Sequence, residues 1–226
     1  MLLKNFSVNS FELTKKIDGM LILNKPYKFS SNFALQKVKK IYGSAKAGHG
    51  GSLDPLAIGV LPIFLGSCTK VSSVLLHSKK KYYVTVHLGA QTHTLDSEGI
   101  ITEKKSFKKI NYSFINKVLA GLQGNKFQVP PIFSAIKKKG LCLYHYARKN
   151  ISTKECFRLV KIYNLSLISW KKDQLKLYVC CSKGTYIRSL AQDIGRALLC
   201  GAYLRFLHRT NIFSLFYCKY ISIYLE

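Results

Sequence analysis

Acidic residues are scarce in this chain. Its 226 residues include 10 Asp and Glu against 36 Lys and Arg, which gives a formal net charge of +26 at pH 7. Because hydrophobic residues make up 48%, the chain is no disordered basic tail and is long enough to bury the core of one domain. Lysine and arginine displace the counterions condensed on phosphates. Nucleic acid is therefore the first expected partner, ahead of an anionic membrane surface.

Long apolar runs are also missing. The longest, residues 53–66, is interrupted by Asp54, Pro55, Gly59 and Pro62. It falls short of the roughly 20 apolar residues that a membrane-spanning helix needs. The first 16 residues show neither the hydrophobic core nor the cleavage site of a signal peptide. We therefore expect a cytoplasmic protein without a membrane segment.

Paired cysteine motifs are absent as well. The seven cysteines are odd in number, irregularly spaced and never arranged as CxxC. This pattern argues against a disulfide framework and against a zinc site. It predicts reduced thiols in the core, which again fits the cytoplasm.

Hydropathy patterns predict a mixture of strands and helices. Residues 19–26, 81–89, 158–170 and 174–184 are typical of strands, the second with Tyr82 on its apolar face. Residues 30–43, 112–124 and 184–201 are typical of helices, the last capped by Thr185 and with Arg188 off its apolar stripe. The elements lack a regular βαβ rhythm, so the expected fold class is α+β. Residues 126–150 combine two prolines, a lysine cluster and aromatics, and predict a basic, partly mobile insertion.

One of the few acids occupies an unusual position. Asp54 lies in "GHGGSLDPLAIGVLP", between glycines and an apolar run. An Asp-Pro pair usually caps a helix that starts at the proline, here Pro55. A carboxylate at a helix N-terminus is held ionised, and the preceding glycines let another backbone or a ligand approach. An ionised, positioned carboxylate is a possible nucleophile, so capping and chemistry are compatible readings of Asp54.

Six blocks of the sequence, in order, resemble the TruB family of tRNA pseudouridine-55 synthases. They are "LNKPYKFSSN", "GHGGSLDPLAIGVLP", "KKYYVTVHLGAQTHTLDSEG", "QVPPIFSAIKKKGLCLYHYAR", "CSKGTYIRSLAQDIG" and "GAYLRFLHRT". Together they extend from about Leu23 to Thr210, most of the chain. The resemblance implies a catalytic domain over residues 1–210, built on a mixed, mainly antiparallel central sheet flanked by helices and loops. It also implies conversion of uridine 55 in the T arm of tRNA to pseudouridine, by base flipping and without cofactor or metal.

The resemblance also assigns residues. It makes Asp54 the catalytic nucleophile, with attack on ribose C1′ or uracil C6 both open, and Arg188 its ion-pair partner. The remaining assignments that the resemblance implies are substrate contacts. His49 would contact the RNA and hold the flipped base out, and Tyr82 would stack on the uracil. Tyr186 and Leu207 would line the uracil site, and Asp96 would contact the target nucleotide. Lys25 and Pro26 are expected to shape the site without doing chemistry. The insertion around residues 128–148 corresponds to a loop that grips the T arm.

Four of these assignments have a plainer structural reading. His49 is also explained as a structural histidine, Tyr82 as a core residue, Arg188 as a solvent-facing side chain and Asp96 as a turn residue. The motif match is imperfect too, because Gly50 stands where the family usually has Thr, Ile58 where Thr is common, and Tyr27-Lys28 where xG follows KP.

The C-terminal end also departs from the family pattern. Residues 211–226 are too few for the small RNA-binding domain that typical bacterial members carry there. We expect the charge of the catalytic domain to supply the missing affinity for tRNA. A monomer without an obligate protein partner is expected.

Three other functions stay open at this stage. The chain could be a catalytically weak or inactive tRNA-binding chaperone of the same fold, although a pure binder has no need for Asp54, Tyr82, Tyr186 and Arg188 together. It could belong to the guide-dependent branch of the family, which works with partner proteins. A ribosome-associated structural protein would explain the charge but none of the motifs.

Overall fold

The computed structural model describes residues 17–106, 110–138, 140–149, 151 and 156–212. Within them lie five α-helices: α1 (Ser31–Ile41), α2 (Ser72–Leu76), α3 (Tyr112–Gly121), α4 (Leu143–Arg148) and α5 (Ile187–Ala197). The strands are β1 (Gly19–Lys25), β2 (Ala47–His49), β3 (Ala57–Leu65), β4 (Lys80–Leu88), β5 (Ala90–Thr92), β6 (Ile101–Lys104), β7 (Gly124–Gln128), β8 (Lys137–Lys138), β9 (Leu141–Cys142), β10 (Arg158–Lys171), β11 (Gln174–Cys181) and β12 (Ala202–Ile212). A 3₁₀ helix covers Gly66–Val71.

An eight-stranded sheet organises the fold. Its order is β1-β3-β12-β4-β11-β10-β7, and β2 pairs with β3 on the same edge as β12. All neighbours are antiparallel except β3 and β12, which run parallel. The short pairs β5-β6 and β8-β9 lie outside this sheet. The expected α+β class with a mainly antiparallel sheet is confirmed.

Two hydrophobic clusters hold the helices on the sheet. The larger cluster joins α3 and α5 to one face of β4, β10, β11 and β12. The smaller packs α1 on β1 and β3 through Leu23, Val38 and Leu61, all fully buried. Burial of each such side chain contributes about 1.5–3 kcal/mol to the free energy of unfolding. The two clusters therefore hold in place the strands that carry the polar residues of the candidate site.

Most predicted elements form as the patterns indicate. The strands expected around Tyr82 and within residues 174–184 are β4 and β11, whose apolar faces are buried. Ser30 caps α1 by accepting a hydrogen bond from the Phe33 amide at 3.0 Å, and Asn111 caps α3 in the same way. The predicted stripe of α5 is buried: Ile187, Leu190, Ala191, Ile194 and Leu198.

Two predicted helix caps are wrong. No helix starts at Pro55, because residues 55–56 form a turn and the chain enters β3 at Ala57. Pairing of β3 with both β1 and β12 outweighs the local Asp-Pro preference. Thr185 does not cap α5 either, since its hydroxyl donates to the Ser182 carbonyl at 2.9 Å and Tyr186 takes the cap position.

The predicted boundaries of the insertion and the tail also shift. Residues 126–128 belong to β7, an edge strand of the main sheet, and the inserted segment begins after Gln128. Residues 211–212 complete β12, and 213–226 lie outside the described residues. Among the residues that the structure describes, no helix is long and apolar enough to cross a membrane.

Gly59 sits where β3 and β12 approach most closely, and replacing it tests that contact. Its φ is +104°, and an added Cβ would overlap the Arg209 carbonyl oxygen and lie 2.6 Å from His208 Cδ2. We expect Gly59→Ala to lower the free energy of unfolding by about 2–4 kcal/mol, from backbone strain and overpacking combined. Urea denaturation followed by circular dichroism measures this loss.

Gly43→Ala is the matched control. Gly43 also has a positive φ of +56°, but an added Cβ would meet no atom within 4 Å. It should cost only about 1 kcal/mol, the penalty of the left-handed conformation. Equal losses for the two variants would show that the β3-β12 contact imposes no constraint of its own.

Candidate active site

Asp54 lies in the loop between β2 and β3, which is held by a buried serine. The Ser31 hydroxyl accepts from the Leu53 amide at 2.7 Å and donates to the Leu53 carbonyl at 2.9 Å. Ser31 lies at the start of α1 and is 4% exposed. These two hydrogen bonds fix the backbone one residue before the carboxylate.

Lys25 fixes the other side of Asp54. The side chain is fully buried, and its Nζ donates to the carbonyls of Pro26, Phe29 and Pro55 at 2.9, 2.6 and 3.2 Å. Burial lowers the pKa of Lys25 to about 8, while the nearby Asp54 carboxylate opposes the shift. The ammonium therefore ties the end of β1 to the residue that follows Asp54.

Arg209 is a buried neighbour of the Asp54 loop that sequence reasoning did not select. Its guanidinium is 2% exposed and donates to the carbonyls of Val60, Ser52 and Gly51 at 2.8, 3.2 and 2.9 Å. It also faces the Tyr82 hydroxyl. The only sequence signal was its place in the block "GAYLRFLHRT".

Arg188 brings Asp54 and Asp96 together. Its Nη2 donates to Asp54 Oδ1 at 3.2 Å, and its Nε lies 2.9 Å from Asp54 Oδ2, an ionic contact without hydrogen-bond alignment. Its Nη1 lies 3.4 Å from Asp96 Oδ2 and donates to the Thr94 carbonyl at 3.3 Å. Nη2 also donates to the Phe133 carbonyl at 2.9 Å. The guanidinium is thus buried, with both terminal nitrogens hydrogen-bonded and Nε facing the Asp54 carboxylate, in contrast to the solvent-facing reading of Arg188.

Asp96 is both a turn residue and a member of this cluster. Its Oδ1 accepts from the Thr94 hydroxyl at 2.6 Å and from the Glu98 amide at 3.0 Å, which closes the turn after β5. Its other oxygen faces Arg188. The carboxylate therefore stabilises Arg188 from the side opposite Asp54.

The Asp54 carboxyl is held in a partly dehydrated environment. Its side chain keeps 48% of its accessible surface and lines a cleft. Desolvation raises the pKa of Asp54 above the usual aspartate value, the Arg188 charge opposes this rise, and Asp96 adds to it. A carboxylate with incomplete solvation and one open side can approach a bound group.

The cleft above Asp54 has a volume of about 910 Å³. It brings together all the predicted site residues: His49, Asp54, Tyr82, Asp96, Tyr186, Arg188 and Leu207. Tyr82 and Leu207 are buried at its base, and burial raises the pKa of Tyr82 to about 12, so its hydroxyl stays protonated. A smaller cavity of about 460 Å³ next to β7 contains none of these residues.

Gln128 fixes the wall formed by Tyr186. Its amide oxygen accepts from the Tyr186 backbone N–H at 2.8 Å, and its amide nitrogen donates to the Tyr186 carbonyl at 3.1 Å. The buried Gln128 thereby joins the edge strand β7 to the start of α5. Arg148, Arg158 and Lys183 lie on the same wall and give the mouth of the cleft a positive charge.

Gly50, where the family pattern has Thr, has little space for a side chain. An added Cβ would lie 3.2 Å from Pro62 Cβ and 3.3 Å from Phe64 Cε2. The neighbouring His49 borders the cleft, and burial lowers its pKa, so the neutral ring is favoured. In the described parts of the chain, no three His, Cys, Asp or Glu side chains are grouped to hold a metal ion.

Comparisons with known proteins identify similar sequences and folds. The family model for the N-terminal domain of TruB family pseudouridylate synthases matches residues 39–187. The tRNA pseudouridine synthase B of Marinomonas sp. (strain MWYL1) is 47% identical over 197 residues, which cover 87% of this chain and 64% of that protein. The protein of the same name from Buchnera aphidicola subsp. Acyrthosiphon pisum is 44% identical over 213 residues, 94% of this chain and 68% of its own length.

One solved structure extends the comparison to three dimensions. The "Crystal Structure of a Cbf5-Nop10-Gar1 Complex" contains a chain with a TM-score of 0.66 and 30% identity, covering 86% of this chain and 48% of that one. The chain described here therefore spans about two thirds of these curated relatives and about half of this structural neighbour.

The pKa of Asp54 gives a direct test of its pairing with Arg188. Because the Arg188 charge opposes desolvation, Arg188→Gln should raise this pKa further, whereas Arg188→Lys should largely preserve it. The carboxyl ¹³C shifts of the five aspartates in the chain, followed over a pH titration, measure the change. An unchanged Asp54 titration in Arg188→Gln would contradict the pairing.

Proposed function

The chain belongs to the TruB family of pseudouridylate synthases, and from this premise we propose that it isomerises uridine 55 in the T arm of tRNA to pseudouridine, with Asp54 as the nucleophile. The observation that carries the proposal is the Asp54 carboxylate, held by Arg188 at the floor of a cleft with basic walls. The cleft volume of about 910 Å³ exceeds what a single nucleotide fills, which leaves room for the base to turn.

The chemistry needs little more than a positioned carboxylate. The bond between uracil N1 and ribose C1′ breaks, and a bond between uracil C5 and C1′ forms. The C5 proton is lost to water and N1 takes up a proton, so no cofactor is consumed. Asp54 can start the reaction by attack on C1′ or by addition to uracil C6, and both routes require the ionised carboxylate. The Arg188 charge serves this requirement, because it opposes the desolvation that favours the neutral acid.

The other residues of the cleft would position the substrate. Tyr82 and Leu207 form an apolar floor on which a flipped uracil can stack, and Tyr186 closes one side. His49, favoured in its neutral form, borders the opening and would contact the RNA beside the extruded nucleotide. Asp96 would act mainly through Arg188, because one of its oxygens is already engaged in its own turn.

The substrate class follows from the relatives and from charge. The curated relatives named above are tRNA pseudouridine synthases. The inserted segment after Gln128 adds Arg148 in α4, which lines the cleft, and also contains Lys137 and Lys138 in β8. Basic side chains in this position suit the phosphates of a folded RNA arm, which protein surfaces recognise by shape and backbone.

Release of tritium from a tRNA transcript labelled at uracil C5 tests the activity. We expect release by the wild type and a loss of at least about 1,000-fold for Asp54→Asn, because the amide is no nucleophile. The same assay should show wild-type release for Asp193→Asn, which removes a carboxylate from α5 whose nearest cation, Arg196, is 4.0 Å away.

Binding measured in parallel separates the alternatives. If the wild type binds the transcript but releases no tritium, the tRNA-binding chaperone without catalysis replaces the enzyme as the function. If Asp54→Asn releases tritium at the wild-type rate, Asp54 is not the nucleophile.

A further inference from the structure

The main sheet has a second polar surface on the side opposite the cleft. Neighbouring strands β12, β4, β11 and β10 are antiparallel throughout, and one face of all four packs on α3 and α5. Side chains alternate across a strand, so Tyr82 points into the cleft and Tyr83 points away from it. We call the face away from the cleft the outer face. Among the residues that the structure describes, this face carries Tyr83, Lys161, Tyr163, Lys176 and Tyr178.

Aromatic rings lie exposed on the outer face. Tyr83 keeps 48% and Tyr163 keeps 39% of its accessible surface. Tyr83 and Tyr178 are cross-strand neighbours in register, with ring centroids 5.7 Å apart and an interplanar angle of 57°. Tyr163 follows the buried Ile162 on β10 and therefore points to the outer face, next to a β-bulge between Ile162 and Asn164. The pairing of Tyr83 with Tyr178 makes a contiguous aromatic patch, and such patches, unlike scattered rings, mark interaction surfaces.

Positive charge surrounds these rings. The four strands contain no Asp or Glu. Lys79 Nζ lies 4.2 Å and Lys161 Nζ 5.5 Å from the centroid of the Tyr163 ring, and Lys176 is exposed between Thr85 and Ser169. Asp173 lies at the far end of the strands, where it faces His87. The outer face is therefore aromatic and basic, without an acid on its strands.

We propose that the outer face binds single-stranded RNA, with Tyr83 and Tyr178 stacking on bases and Lys161, Lys176 and Lys79 contacting phosphates. An antiparallel sheet with two helices on one face and exposed rings on the other is a geometry that stacks unpaired bases. Base stacking on aromatic side chains tolerates any sequence, and flanking cations follow the backbone. An apolar protein partner would instead have to bury the lysines without acids of its own.

The outer face and the cleft are independent surfaces. Tyr82 and Tyr83 are consecutive residues on opposite sides of one strand, so an RNA arm in the cleft leaves the outer face accessible. The proposal does not rest on the isomerase activity, because it concerns residues that do not line the cleft. Each of the two proposals can fail alone.

Photo-crosslinking locates the bound strand. The probe is a fluorescein-labelled 12-nucleotide oligouridine containing one 5-iodouridine, mixed with a saturating unlabelled T-arm hairpin that competes for the cleft. Mass spectrometry should recover crosslinked peptides that contain Tyr83 or Tyr178. Crosslinks confined to cleft residues would overturn the proposal.

Fluorescence anisotropy with the same probe measures the contribution of the rings. Under the same competition, the double variant Tyr83→Ala/Tyr178→Ala should weaken binding at least about tenfold. Tyr83→Phe/Tyr178→Phe should bind like the wild type, because stacking needs the ring and not the hydroxyl. If the alanine variant fails to fold, the phenylalanine variant still tests the proposal, because a loss of its binding would contradict stacking on the rings. Tyr112→Ala is the matched control, since Tyr112 is 55% exposed on α3, outside the outer face.

The salt dependence tests the lysines. Lys161→Gln and Lys176→Gln should each reduce the slope of log affinity against log salt by about 0.7, the value for one single-strand phosphate contact. Unchanged slopes, or equal affinities of the alanine variant and the wild type, would overturn the proposal. If the tyrosine substitutions instead abolish self-association in sedimentation and leave oligouridine affinity unchanged, the outer face is an interface between protein chains.

Discussion

The ion pair between Arg188 and Asp54 is the constraint on which the rest of the site depends. A guanidinium that is 6% exposed must find an acceptor for each of its donors or cost several kcal/mol. Outside α5, which carries it, Arg188 meets acceptors in three segments: the loop before β3, the turn after β5 and the stretch near Phe133. These segments come from distant parts of the sequence, so the cleft is assembled only when the sheet is complete.

Two further buried cations keep the Asp54 loop in place without neutralising its carboxylate. Lys25 and Arg209 donate hydrogen bonds to backbone carbonyls around the loop and not to the Asp54 carboxylate. The loop is therefore rigid while the carboxylate keeps an open side toward the cleft. This arrangement suits a nucleophile that must stay ionised in a dehydrated place and still reach a substrate.

The periodic elements of the fold could be predicted because their signals are local. The alternation in β4 and the apolar stripe of α5 each reflect a single buried face, and both strand and helix formed where expected. The absence of a helix at Pro55 could not be predicted, because the pairing of β3 with two other strands overrides the local Asp-Pro preference. Arg188 lies off the apolar stripe of α5, and its burial comes from the segment around Phe133 that covers it.

The residues of the candidate site could be predicted mainly from the resemblance of sequence blocks to a family, and much less from hydropathy or charge patterns. Arg188 lies 134 residues after Asp54 in the sequence, and no local rule brings the two together. The ordered blocks did so. Arg209 shows the limit of pattern reading. No sequence pattern selected it, whereas the structure places it at 2% exposure among carbonyls that only the folded loop supplies.

A crystal structure of the Asp54→Asn variant bound to an unmodified T-arm hairpin tests the central claim most directly. The measured quantity is the distance from the side chain at position 54 to the nearer of ribose C1′ and uracil C6 of the target uridine. The account predicts an extruded uracil between Tyr82 and Leu207, with this distance at about 3–4 Å. A target base that stays stacked in the hairpin, or binds away from position 54, would contradict it.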